Sequence, residues 1–475
     1  MRKLGFFLLI CTAVLTFIGI SAKENKDIAP LFQPVIFSCL QGKQWVEHCV
    51  ELHPEIIWLA DVNVRKTEEG QTTLQGTYSE QLFGQKYIEF DRTIMTIHCL
   101  KLFLDGSDEA YVEFTAAQPQ EIKLSRESFQ ILHLQGQELL QSKWQGLPTQ
   151  QMALAMETAL VLGDIGKSEK ARELFKPYGI QAIDHDDFYG ETIKLIEKCP
   201  ALCPSFACLP PSAKKLLVEI ANLAHYGHIT HLEGGTGMFA KLKESELPFK
   251  DPTAVSFDLF VHTCDVAGAL GHVNNRSSLV YTEPTHRAMQ AMANAVRVLS
   301  DPNKSERDAY NTYICQRASW LGLDANDSSD RVLARIGAML RLFSPEEGGV
   351  LKMAMNQLDA SNREKISEQL DEQQPSQTGR TPTYMPAVLV NLSNNTQLGK
   401  SKEERLVAAV TIGLPFIARV LEKYQGMLAS QEISPDIPLN FNKVAGVAKT
   451  SPECFNEGFI IDNEGNVHLF VENGS

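Results

Sequence analysis

From about residue 149 to about residue 428 the apolar residues recur at helical spacing, so the core this chain builds there must be helical. Residues 152–162 are rich in Ala, Leu and Met, and residues 168–175 follow across Gly163-Asp164-Ile165-Gly166, a pattern that predicts a helical hairpin. Pro210-Pro211-Ser212 opens another helix running toward His225, and Thr285 caps one that Asp301-Pro302 stops. Ser344-Pro345-Glu346-Glu347, Ser361-Asn362-Arg363-Glu364 and Ser401-Lys402-Glu403-Glu404 each read as a capping box, in which serine and glutamate satisfy each other's backbone N–H groups. The last opens a long helix that Pro415 should kink.

Before residue 149 the rhythm is different. Residues 44–52 suit a short helix, but 55–64, 72–78, 87–90, 93–104 and 110–114 carry β-branched and aromatic residues between turn formers, which predicts strands. At the other end, 459–461 and 467–471 flank Asp462-Asn463-Glu464-Gly465-Asn466, a β-hairpin pattern. An isolated hairpin is marginal, so it is expected to dock on the N-terminal β region. The expected class is α+β. A domain at 23–148 with β-strands precedes a large helical domain at 149–435 with a linker at 373–386, and a segment at 436–475 carries the hairpin.

The first 22 residues read as a secretory signal peptide. Arg2 and Lys3 precede an apolar run from Leu4 to Ile20, and Ser21-Ala22 supplies small residues for cleavage. The expected protein is exported, periplasmic or secreted, and meets a membrane only during export. A retained N-terminal membrane anchor is the alternative. The formal net charge of −14 becomes −16 when Arg2 and Lys3 leave, a surface that repels phosphate backbones and argues against nucleic acid as a partner. Removal of Cys11 leaves nine of ten cysteines. The loop holding Cys199, Cys203 and Cys208 favours a disulfide over a zinc site, since no histidine stands within it.

Six of the twelve histidines (His225, His228, His231, His262, His272 and His286) fall within 62 residues. His225 and His228 are three apart and can face one point at the end of a helix, with His231 joining if the helix stops at Glu233-Gly234-Gly235. On a continuous helix His262, Asp265 and His272 form one polar stripe. Buried groups of this kind need partners, and a divalent ion (zinc, manganese or iron) satisfies imidazoles and a carboxylate together, with Glu233 orienting a ring. Taken singly, each histidine reads as a core or surface residue with an ordinary hydrogen bond. The glycines of His231-Leu232-Glu233-Gly234-Gly235-Thr236-Gly237 suit a tight turn better than a phosphate loop. Cys264 beside His262 is a poor nucleophile candidate, because adjacent residues on a helix point apart.

The doublet His185-Asp186, followed by His225 and His228 and then by His262 and Asp265 in a helix containing Cys264-Asp265-Val266-Ala267, resembles HD-domain metal-dependent phosphohydrolases, with His133 as a possible first ligand. The resemblance covers about residues 130–300. It implies a helical fold, a metal held by His225, His228, His262 and Asp265 with His185 and Asp186 as further ligands, and a small-molecule phosphoester substrate. His231, His272 and Glu233 are the expected proton-transfer residues. A non-enzymatic exported interaction protein with a structural histidine cluster is the competing expectation.

Overall fold

A computed structural model of the chain describes residues 33–61, 76–182, 185–221, 223, 226–370 and 381–470, with the side chains of Asp61, His185 and Asp186 also outside that description. The signal-peptide segment, His225 and residues 373–380 of the expected linker therefore lie outside the described residues. The chain is mostly helical, and it divides into two compact units that do not follow a cut at residue 149. The first unit comprises Met1–Asn222 and Thr253–His286, the second Leu223–Pro252 and Arg287–Ser475. Among the described residues no helix is long and apolar enough to cross a membrane.

The first unit corrects the expectation of an N-terminal β domain. Pro54–Asp61 is a 3-10 segment, Tyr78–Phe83 and Asp108–Thr115 are short helices, and Ile88–Asp105 is a helix of 18 residues. Residues 62–75, covering the rest of two expected strands, lie outside the described residues. The Ile88 helix shows why propensity misleads. Thr93, Ile94, Thr96 and Ile97 look like strand residues, yet the helix is buried on nearly every side, so a continuous apolar run replaces the amphipathic stripe. Its boundaries are ordinary: Glu89 and Asp91 stand in the first turn, and Gly106 ends it in the left-handed conformation at φ 67°. Thr77 forms a capping box with Glu80 that starts the preceding helix, and Ser107 caps the following one.

Phe103 is the hub of this unit's core. Its ring lies 4.9 Å from Phe114, 5.8 Å from Phe129, 6.3 Å from Phe260 and 6.2 Å from Tyr281. These offset and edge contacts tie the Ile88 helix to Arg126–Gln141 and Pro252–Gly268. Pro252–Gly268 approaches the Ile88 helix closely, since a Cβ on Gly268 would stand 2.5 Å from the Thr96 backbone nitrogen. The predicted helical hairpin is present as Thr149–Gly163 and Glu169–Phe175. Glu157 in the former is fully buried and accepts from the Ile36 N–H at 2.9 Å, with the His53 ring nitrogen on its other oxygen at 2.9 Å.

In the second unit the capping boxes at Ser344 and Ser401 are both present, beginning Pro345–Gln357 and Lys402–Ala408. The expected box at Ser361 is not. Its helix, Ala360–Leu370, starts two residues earlier and is capped by Asp359, which accepts from the Asn362 N–H at 2.8 Å. Pro415 is accommodated by a widened turn: Ala409–Gly413 is a π-helix between Lys402–Ala408 and Leu414–Ala429, which suits a residue with no N–H to donate. The hairpin pairs β1 (Phe459–Ile461) with β2 (Val467–Leu469), Phe459 opposite Leu469. It packs within this unit instead of on the N-terminal region, with Phe459 5.6 Å from Phe416 and β2 against Asn442–Thr450.

The expected disulfide is also corrected. All nine cysteines of the described residues are free thiols. Cys203 donates instead to the fully buried Glu55 at 3.0 Å, and Glu55 also accepts from the Ser205 N–H at 2.9 Å.

Candidate functional site

The structure allots the expected site residues to both units. His185, Asp186, His262, Asp265 and His272 belong to the first, and His228, His231 and Glu233 to the second. Each unit carries a charged cluster of its own.

In the first unit, Gly163-Asp164-Ile165-Gly166-Lys167 turns the chain between the two hairpin helices. Lys167 reaches back to Asp164 Oδ1 at 2.5 Å, and the Thr93 hydroxyl donates to Asp164 Oδ2 at 2.5 Å. Glu89, four residues before Thr93, lies 3.6 Å from Lys167 and pairs with Arg92 at 2.9 Å. Asp265 adds a carboxyl from the Pro252 helix, and the charges that act most on it are those of Asp164, Lys167, Arg92 and Glu89. Withdrawal from water, reinforced by the negative charge of Asp164, raises the Asp265 carboxyl to about 6. Asp164 moves the other way: burial opposes its charge, but Lys167 and the Thr93 hydroxyl hold it below the ordinary carboxylate range. Lys167 is buried too, yet the carboxylates of Asp164, Asp265 and Glu89 keep its proton on. Two carboxylates in one field titrate as a pair, and this pair has been driven apart into an anion and a near-neutral acid.

The polar stripe expected along the Pro252 helix is broken. The helix ends at Gly268, three residues past Asp265, so His272 falls in the turn beyond it and loses the seven-residue phase. His272 is buried, and His262 is half-buried. Burial holds the Cys264 thiol protonated, far from nucleophilic use. His133 bonds the Phe103 carbonyl through Nδ1 at 2.9 Å. The helix His185–Lys198 packs against the Ile165–Lys167 turn. Among the described residues no three His, Cys, Asp or Glu side chains gather as a metal-ligand set. Asp164 and Asp265 supply two oxygen donors, and Lys167 sits on Asp164 as a built-in competitor for a cation.

In the second unit, His228 lies in the short helix Tyr226–Thr230, separate from Pro211–Ile220, so no continuous helix runs to it. Leu232 adopts φ 53°, its N–H bonds the Ile229 carbonyl at 3.0 Å, and the Glu233 N–H bonds the His228 carbonyl at 3.2 Å. This is a Schellman motif, which folds the residue after the left-handed one back over the last helical turn. An apolar pair commonly fills that contact. Here it is polar, the Glu233 carboxylate bonding His228 Nδ1. The turn is held from beneath: the buried Arg335 guanidinium donates to the carbonyls of Leu232 at 2.9 Å, Glu233 at 2.6 Å and Leu370 at 2.9 Å. Tyr313 donates to the Thr230 carbonyl at 2.6 Å. His231 is not a proton carrier near neutrality, because burial and the positive charges of Arg341 and Arg317 push its ring down to about 3.

A family of unknown function, DUF6829, matches the chain over residues 50–441. The chain belongs to this family. The DUF6829 match takes in Asp164, Lys167, Asp265 and the His228–Glu233 turn, and leaves out the Asn442–Thr450 helix and the hairpin. No curated protein and no solved structure matches the chain.

The sequence contains the missed residues plainly. Asp164 and Lys167, three apart on a tight turn between two helices, present a carboxylate and an ammonium at one point, but that stretch reads as a connector unless Glu89, Arg92 and Asp265 are known to meet it.

Proposed function

We propose that this protein is an exported hydrolase of small phosphoesters whose reaction centre is the Asp164–Asp265 pair of the first unit. The observation that carries this reading is the Asp265 carboxyl, brought to about 6 beside an anionic Asp164 and faced by Lys167 and Arg92. A carboxyl titrating near neutrality is suited to take and return a proton during turnover. Arg92 and Lys167 supply the positive charge that a phosphoryl group needs as charge develops on its oxygens. Thr93 keeps the Asp164 carboxylate oriented.

A divalent zinc, manganese or iron ion would in this reading be held by Asp164 with His185 and Asp186, beside Asp265, and would supply a bound water of lowered pKa. The HD resemblance of His185 and Asp186 supports this assignment, as does the packing of the His185 helix on the Ile165–Lys167 turn. Export rests on the leader-like first 22 residues.

The test combines metal analysis of the purified protein with a phosphoester panel for the native chain and for Asp265→Asn, Asp164→Asn and Lys167→Met. The expected result is near-stoichiometric metal and turnover that falls at least a hundredfold in Asp265→Asn. Turnover that survives Asp265→Asn and Asp164→Asn would move the chemistry elsewhere. No turnover and no metal after reconstitution would leave the interaction-protein reading.

A further inference from the structure

The hairpin presents one open edge. β2 is flanked on both sides, by β1 on one and on the other by Asn440, whose carbonyl takes the Val467 N–H at 3.0 Å. β1 pairs with β2 alone among the described residues. The ladder fixes which of its backbone groups face outward. The Phe470 N–H bonds the Gly458 carbonyl at 3.0 Å and the Asp462 N–H bonds the Asn466 carbonyl at 3.1 Å, so residues 458, 460 and 462 turn their polar groups toward β2. Phe459 and Ile461, the alternate residues, turn theirs away. Among the described residues nothing takes up the Phe459 N–H or either backbone group of Ile461, and the Phe459 carbonyl meets only Lys423 Nζ, at 3.5 Å. A carbonyl oxygen accepts twice, so that contact leaves room for a second donor.

The strand is also apolar. Phe459–Ile461 carries no charge, Ile460 is 44% exposed and Phe470 is 53% exposed. The Phe470 ring lies over Gly458, where a Cβ would stand 2.6 Å from it, and so extends the Ile460 surface along the same face. An exposed apolar edge of this kind is a template for another strand.

A second copy fits the edge by symmetry. With two β1 strands antiparallel and Ile460 opposite Ile460, each Phe459 stands opposite the other copy's Ile461. Each of those two pairs exchanges two N–H···O bonds, which satisfies every outward N–H of both strands. The Ile460 pair falls between them, at the position where side chains across a ladder come closest. Charge agrees with this direction. Lys423 stands at the start of β1, over the Phe459 ring at 5.3 Å, and Asp462 follows its end. Antiparallel pairing sets Lys423 of each copy near Asp462 of the other, whereas parallel pairing would bring the two lysines together.

We propose that the β1 edge is a homodimer contact, in which two copies join their hairpins into one four-stranded antiparallel sheet with Ile460 on the two-fold axis. The contact is small, so the dimer is weak and concentration-dependent. It does not rest on the phosphohydrolase reading.

Its test is sedimentation equilibrium of the full mature chain over a wide concentration range, in reductant, for the native protein, Ile460→Lys and Ile460→Thr. The native mass should move toward twice that of the chain as concentration rises. Ile460→Lys, which sets two ammonium groups face to face on the axis, should raise the dissociation constant at least tenfold with Tm unchanged. Ile460→Thr, which keeps a strand-forming side chain, should weaken the dimer less. A second readout is geometric: in oxidised glutathione Ile460→Cys should link to its own copy, because this kind of pair brings Cα atoms to about 4.5 Å, within disulfide range. Peptide mapping separates that link from any through the exposed Cys39, Cys199 or Cys315. A chain that is monomeric at every concentration overturns the proposal, as does a dimer that Ile460→Lys leaves intact. Mixed disulfides between the introduced thiol and a different protein, with no self-link, would give the edge to another occupant and overturn it as well.

Discussion

Thr93 donates its hydroxyl to Asp164 at 2.5 Å, a bond that joins residues 71 positions apart and fixes the carboxylate that faces Asp265. Thr93→Val keeps the shape and removes the donor, leaving a buried carboxylate oxygen without its partner. Hydrogen bonds to charged groups contribute about 1.5–3 kcal/mol, so urea unfolding should show a loss of that order. Asp164 should also become easier to protonate. A stability change under about 0.5 kcal/mol would mean the bond is not maintained in solution.

Gly268→Ala tests the close approach that carries Asp265 to the cluster. The added methyl would meet the Thr96 backbone nitrogen at 2.5 Å, and backbone cannot swing aside as a side chain does. Overpacking of this kind costs about 1–3 kcal/mol. Phosphoester turnover should fall by more than the folded fraction does, since the helix bearing Asp265 is pushed outward. Unchanged stability would contradict the packing described.

Stability should respond to pH through two groups of opposite sign. Burial raises Asp91 to about 7, against the hydrogen bonds it accepts from the Ser79 N–H and hydroxyl. The folded state thus holds a proton that the unfolded chain has released above the ordinary aspartate range. This contribution is greatest at low pH and is lost as pH rises from about 4 through 7. His231 works in reverse. It is neutral in the fold down to about 3, so the unfolded chain binds the extra proton, and stability falls as pH drops from the ordinary histidine value toward 3. Both effects act mainly between about pH 4 and 7 with opposite slopes, so over that range the urea midpoint should rise more with pH in Asp91→Asn than in the native chain, and rise less, or fall, in His231→Gln. Identical profiles in all three proteins would refute both assignments.

Thiol titration examines the cysteines and the leader together. Denatured protein without reductant should yield nine reactive thiols if residues 1–22 have been removed, and ten if Cys11 remains. In the native state the exposed Cys39, Cys199 and Cys315 should react first, well ahead of the buried Cys49, Cys99, Cys203 and Cys264. A denatured count of seven would reveal a disulfide.

Local chemistry was legible where it acts alone. Ser344 and Ser401 find their glutamates three residues on, Pro211 opens its helix, and Gly465 turns the hairpin at φ 79°. Thr93 and Ile97 were misleading because a helix enclosed on nearly every side needs bulky apolar residues, and β-branched ones serve that need despite their preference for strands. The site was legible by halves. Asp265, His228 and Glu233 stand out by type and spacing, but Asp164 and Lys167 become meaningful only through neighbours that sequence distance hides. The phase argument for His272 failed because it assumed a helix that stops at Gly268.

The π-turn at Ala409–Gly413 holds one residue more than an α-helix would use over the same rise. Removing one residue there would leave the helical faces before and after it in phase, whereas a deletion elsewhere in Lys402–Ala408 or Leu414–Ala429 would rotate every following side chain by about 100°. This turn is therefore where the helical interior can record an inherited single-codon gain or loss. Relatives lacking it should be one residue shorter between Ser401 and Pro415, yet keep Leu406 and Phe416 pointing into the same core.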